Sequence, residues 1–160
     1  NLMHAKFEAS FFSDKEGAIL SQMILADVFN KTLDESDGSI GLHYAGIGYH
    51  LPKFHIADFL GLVDKKIAHS PYKNLRLGHN KWDYEYSFSE YDIAAVPMWI
   101  HIFERVNKYK ADLNNYEEAA VEYILNSGKY EYLYPDQMGI KHRSGYGMFV
   151  RKDLLHKFIN

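Results

Sequence analysis

Apolar residues recur at three- and four-residue steps in two stretches of the chain, and elsewhere gather into short runs between turn residues. The first stretch puts Ile19, Leu20, Met23, Ile24, Phe29 and Leu33 on one side of a helix, with Asp14 as its N-cap and Glu16 in its first turn. It should stop in "DESDGS", where Gly38 precedes the run "SIGLHY". The second stretch, "NNYEEAAVEYILNSGK", has Asn115 as cap and Glu118 three residues on. Ala119, Ala120, Val121, Ile124 and Leu125 fall on its buried side, and Gly128 closes it.

The short runs predict strands at 39–44, 54–59, 91–97, 130–134 and 146–150. Trp82 to Phe88 alternates aromatic and polar residues, the period of a half-buried strand. Asp64 should open a short helix through His69, stopped by Ser70-Pro71. A polar loop then runs from Tyr72 to Lys81. "AGIGYHLP" reads as a turn, "MWIHIFERV" as helical or irregular, and "KDLLHKFIN" as a closing helix. This order predicts an α/β fold: residues 1–160 as one domain, with a mixed sheet of about five strands flanked by helices in Rossmann-like layering. The last two strands are expected to pair as a hairpin across a long loop.

Composition narrows the function. With 18 basic and 21 acidic residues interspersed, net charge −3 and pI near 6.3, no basic stripe follows a phosphate backbone, so nucleic acid is not expected as a partner. No apolar run reaches the ~18 residues that span a bilayer. The start at Asn1, without an initiator Met or a leader, reads as a mature product or a piece of something longer. The absence of cysteine removes disulfides, thiolate metal sites and cysteine catalysis. Thirteen Tyr, ten Phe and two Trp supply ring faces suited to apolar surface, sugar rings or an interface.

Nine histidines invite a metal, and His43, His50, His55 and Asp58 lie close in sequence. On a strand, however, His55 and Asp58 fall on opposite faces, and no helical His pair at four-residue spacing occurs, so neither metal nor cofactor is expected. Gly46-x-Gly48 lacks the third glycine of a dinucleotide fingerprint, because Leu51 and then Pro52 stand where it and its helix should be. No Gly-x-Ser-x-Gly elbow or P-loop is present. Asp58 and Asp64, flanking the bend Phe59-Leu60-Gly61-Leu62-Val63, have two readings. They could act as acid and base on a glycosidic bond, or Asp64 could cap its helix while Asp58 accepts from the turn amides around Gly61.

The same residues carry a family resemblance. Ala45-Gly46, Tyr49, Asp58, Leu60-Gly61-Leu62, Asp64, Gly78-His79 and Lys81, followed by "YDIAAVP" and "GYGMFVRKDL", resemble the extracytoplasmic C-terminal domain of polytopic C-type bacterial glycosyltransferases, the arabinofuranosyltransferase-like membrane proteins. The likeness spans most of residues 14–150. It departs at Asn80, where an acid is common, and in the strand ending Val96-Pro97. It implies a domain on the periplasmic side of the inner membrane that shapes the active-site opening or binds acceptor glycan and is not catalytic alone. Its partners would be the membrane-spanning portion of the parent protein and a glycan or lipid-linked sugar, and its candidate ligand-binding residues are Tyr49, Asp58, Asp64, His79 and Lys81. Two other readings stay open: a free-standing hydrolase or transferase using Asp58 and Asp64, and a non-enzymatic, Tyr-rich interaction module.

Overall fold

The computed structural model describes residues 20–140 and 145–159. Helix α1 (20–32) leads through a 3-10 turn at Glu35–Asp37 into β1 (Ser39–Leu42). After a 3-10 segment at Ala45–His50 come β2 (Ile56–Asp58), α2 (Lys65–Ala68), α3 (Tyr84–Glu90), β3 (Ile93–Trp99) and α4 (Ile100–Lys108). Then follow α5 (Tyr116–Ser127), β4 (Tyr130–Leu133), a 3-10 turn at Pro135–Met138, β5 (Tyr146–Arg151) and a last 3-10 segment at Lys152–Lys157.

The five strands form one mixed sheet in the order β2-β1-β3-β5-β4. The first three run parallel, while β5 is antiparallel to both β3 and β4. The expected hairpin pair, β4 with β5, is therefore present. Side chains alternate across the sheet. Ile40, Leu42, Met148 and Val150 pack with Leu25 and Phe29 of α1 and with Leu33 just after it, whereas Ala57, Phe149 and Tyr132 pack on the opposite face with Ile102 of α4 and Ala120, Val121 and Ile124 of α5. The register steps from Ser39–Ile93 to Ile40–Ala95, so Ala94 is an extra residue on β3, and Ala94 and Ala95 both join the α1 side.

Local chemistry explains the helix bounds. Asn115 caps α5, its Oδ1 accepting from the amides of Glu117 (2.9 Å) and Glu118 (3.1 Å), and Gly128 ends it in the left-handed region at φ 64°. The Glu118 carboxylate does not close a capping box. It is buried and turns to the Asp112 amide (2.9 Å) and to Arg105 (3.1 Å). Leu125, expected on the buried side of α5, is 39% exposed, because Val121 and Ile124 already fill the face that meets the sheet.

One further expectation is corrected. Trp82 to Phe88 is not a strand but the approach to and body of α3. The Asp83 carboxylate accepts from the Tyr86 amide (3.0 Å) and starts the helix, and the four-residue step from Tyr84 to Phe88 places both rings against Phe59. Asp14, Glu16 and Ile19 lie outside the described residues.

The two edges of the sheet differ in character. At the amino ends of β1 and β3, Arg151 pairs with Asp92 and Asp153 and also reaches the Asp37 carbonyl, while Lys157 pairs with Asp37 at 2.7 Å. That edge is pinned shut. The carboxyl edge carries loops, and among the described residues no helix is long and apolar enough to cross a membrane.

Candidate active-site edge

Carboxyl ends of parallel strands are where open α/β sheets place ligands. Here β1 ends and delivers His43 and Tyr44 opposite the first turn of α5, which presents Tyr116 and Glu117. His43 is buried, its ring 5.1 Å from Phe59 and 5.4 Å from Tyr116. Tyr84 donates its one proton to the Tyr116 carbonyl at 2.5 Å, so the His43 Nε2 at 3.0 Å must be the N–H that donates to Tyr84. His43 is thus held in a single tautomer. Burial, helped by the His79 charge, keeps it neutral and lowers its pKa to about 3.

A second chain of hydroxyls runs outward from this core. Tyr44 donates to Glu117 Oε1 at 2.9 Å and lies 2.6 Å from the Tyr116 hydroxyl. With the Tyr44 proton committed to a carboxylate, Tyr116 is the donor to Tyr44, giving a one-way relay from Tyr116 through Tyr44 to Glu117. Glu117 is only 8% exposed. Burial pushes its carboxyl above the ordinary range, against the pull of the Tyr44 hydroxyl and of the His101, Arg76 and His79 charges. Among the described residues its Oε2 accepts no hydrogen bond, and it is not sealed from solvent.

Around this relay stand the His79 ring, 5.0 Å from Tyr116, and Arg76, whose guanidinium lies 5.6 Å from the same ring. Trp99 stacks on Tyr146 at 3.7 Å, and Tyr146 shares a hydrogen bond with Gln22 and feels the Glu117 charge. The edge therefore combines ring faces, hydroxyls and one carboxylate oxygen free to accept.

The residues singled out in the sequence divide between several places. Tyr49 and Asp58 meet in a cleft of about 270 Å³ lined also by Leu42, Gly48, Ile56, Leu62 and Val63. His79 belongs to the relay cluster instead. Asp58 spends both oxygens on its own bend, accepting from Leu60 N (3.1 Å) and Val63 N (2.7 Å). Asp64 caps α2 through the amides of Lys66 and Ile67, and its other oxygen accepts from Tyr91 (2.7 Å) and Tyr86 (3.2 Å). Burial would raise the Asp64 pKa, but these four donors outweigh it and the net shift is downward. Lys81 donates to the Ala68 carbonyl, closing the end of α2, and lies over the Tyr72 ring at 4.7 Å. The bend tightens at Gly61 (φ +73°), where a Cβ would stand 2.7 Å from the Ala68 amide. The acid-flanked bend, α2 and the His79 loop are therefore one packed unit. Each Asp64 oxygen accepts two donors, and each Asp58 oxygen accepts one amide of its own bend.

Tyr44, Tyr116 and Glu117 were not singled out from the sequence. Glu117 reads there as an ordinary acid in a helix first turn, and only its neighbour in space, 73 residues away, distinguishes it. Among the described residues no group of three or more His, Asp or Glu is placed to hold a metal ion. Comparison with family models, curated proteins and solved structures matches nothing.

Proposed function

We propose that this chain is a periplasm-facing domain of a membrane glycosyltransferase-like protein and that it holds acceptor glycan at the carboxyl edge rather than performing transfer alone. The observation that carries the reading is the Tyr116–Tyr44–Glu117 relay, ending on a carboxylate oxygen open to solvent beside the Tyr116 and His79 rings. Sugar rings present C–H faces for aromatic contact, and their hydroxyls need fixed acceptors and donors at the rim. Arg76, His79 and His101 supply the donors, and Glu117 Oε2 supplies the acceptor. The motif shared by Asp58, Leu60-Gly61-Leu62, Asp64, Gly78-His79 and Lys81 supports the family assignment. In this reading its aspartates and lysine build the loops that frame the edge.

The test is titration of the 160-residue chain with a panel of oligosaccharides, followed by NMR shifts at the tyrosines. Binding should be lost in Glu117→Gln and Tyr44→Phe and kept in Asp58→Asn, with no turnover of glycosides by any of them. Glu117→Gln binding the panel as well as the parent chain, or turnover that disappears in Asp58→Asn, would overturn this reading.

A further inference from the structure

The loop between α2 and α3 carries an unusual surface. Leu75 is 99% exposed and Leu77 89%, and Tyr72 is exposed beside them. The backbone that displays them is pinned. Lys73 N donates to the Asn80 carbonyl (2.7 Å), Arg76 N to Asn74 Oδ1 (2.8 Å), His79 N to the Arg76 carbonyl (3.2 Å), and Asn74 Nδ2 to the Asn114 carbonyl (2.8 Å). A structured tip that holds two leucines out in water, with nothing among the described residues covering them, is suited to meet another apolar phase.

Charge indicates which one. From Lys65 to Trp82 the chain contains Lys65, Lys66, Lys73, Arg76 and Lys81 and no acid. None of these five forms an ion pair among the described residues. Lys73 and Arg76 alternate with the leucines in the order Lys-Asn-Leu-Arg-Leu, so leucines reaching an acyl boundary would bring both cations to the headgroup layer. Asp83, Glu85 and Glu122 share a groove with Lys73 whose lining includes none of residues 74–80, and the one acid that feels Arg76 and His79, Glu117, is buried.

We infer that the tip Tyr72–Leu77 docks this domain on an anionic lipid surface, with Leu75 and Leu77 inserted and Lys73 and Arg76 at the phosphate level. The inference rests on the reading of a domain that works beside a bilayer. Its failure is distinguishable from a failure of glycan binding: Arg76 is common to both, but the exposed Leu75 and Leu77 side chains belong only to the vesicle assay and Glu117 only to the glycan assay.

The experiment is co-sedimentation of the 160-residue chain with vesicles of phosphatidylcholine alone or mixed with phosphatidylglycerol. Binding is expected on the mixed vesicles, weakening as salt is raised. Leu75→Ser with Leu77→Ser should lower the partition coefficient about tenfold or more, and Lys73→Gln with Arg76→Gln about thirtyfold. The leucine pair should leave thermal melting unchanged, since neither side chain is buried. The inference is overturned by no binding to mixed vesicles, by equal binding to neutral vesicles, or by a leucine double variant that binds like the parent chain. Crosslinking of Leu75 and Leu77 to a protein partner without vesicle binding would also overturn it and assign the tip to that partner.

Discussion

Removing one oxygen atom from the core tests the account of the carboxyl edge. In Tyr84→Phe the ring stays, packed on Phe59 at 5.4 Å, but the hydroxyl that joins His43 to the Tyr116 carbonyl is lost. The buried Nε2–H of His43 is stranded, whereas the Tyr116 carbonyl, in the first turn of α5, keeps its intrahelical partner, the Ala120 amide. One stranded donor costs about 1–3 kcal/mol, and the easier burial of phenylalanine returns part of that, so the net loss is about 1–2 kcal/mol. Against a typical domain stability of about 5–15 kcal/mol this is a measurable fraction. With a urea slope near 2 kcal/mol per molar, the midpoint should fall by about 0.5–1 M with the slope unchanged. Trp82, buried beside Tyr116, serves as the fluorescence reporter. Tyr116→Phe is the control: it removes a hydroxyl from the outer relay but leaves the Tyr116 carbonyl and His43 paired, and it should cost less. A Tyr84→Phe midpoint within about 0.3 M of the parent chain, or a larger loss in Tyr116→Phe, would refute the pairing scheme.

Two other outcomes follow from geometry already described. His43 is neutral when folded, with a pKa near 3 against an ordinary 6.5. The unfolded chain binds this proton first, so the stability it contributes is complete above pH 6.5 and lost as pH falls towards 3. About 2 kcal/mol should disappear between pH 7 and pH 5 from this group alone. Glu117, raised when folded, has the opposite sign: it takes up its proton earlier in the folded state and partly offsets the loss as pH falls. Urea midpoints measured against pH should therefore fall in acid and fall more steeply in Glu117→Gln, and a flat profile from pH 7 to 5 would exclude the scheme. Gly61→Ala forces a side chain both into the left-handed region and against the Ala68 amide, whereas Gly128→Ala at φ +64° meets open space. The second should cost about 1 kcal/mol of backbone strain, and the first distinctly more by the same melting assay.

What could be read from the chain alone followed the range of the interactions involved. Helix α5 was legible because Asn115 and Gly128 satisfy its ends locally. The bend from Asp58 to Asp64 was legible for the same reason: one of the two readings open for its acids, capping and turn-amide pairing, uses partners within five residues. The segment 82–88 was misleading because four of its seven residues are aromatic and alternate perfectly. What decides for a helix is Asp83 as cap and the distant ring of Phe59, which accepts two side chains four apart but not two apart. The relay cluster was illegible in principle. Tyr44 and Glu117 are ordinary residues until β1 and α5 bring them within 2.9 Å. The Tyr content was a compositional hint, but several of those hydroxyls turn inward to backbone, as Tyr130 does to Ile93 and Tyr132 to Met98.

The strand order has a consequence for how the chain is made. β5, the latest strand in the described chain, is not at a border of the sheet but wedged between β3 and β4. Until residues 146–151 leave the ribosome, the β2-β1-β3 ribbon has an open flank at β3 and β4 has no neighbour at all. Assembly of this sheet therefore cannot keep pace with translation. It waits for its keystone, and meanwhile the exposed flank of β3, with its run Ile93-Ala94-Ala95-Val96, is the surface a nascent-chain chaperone would need to shield.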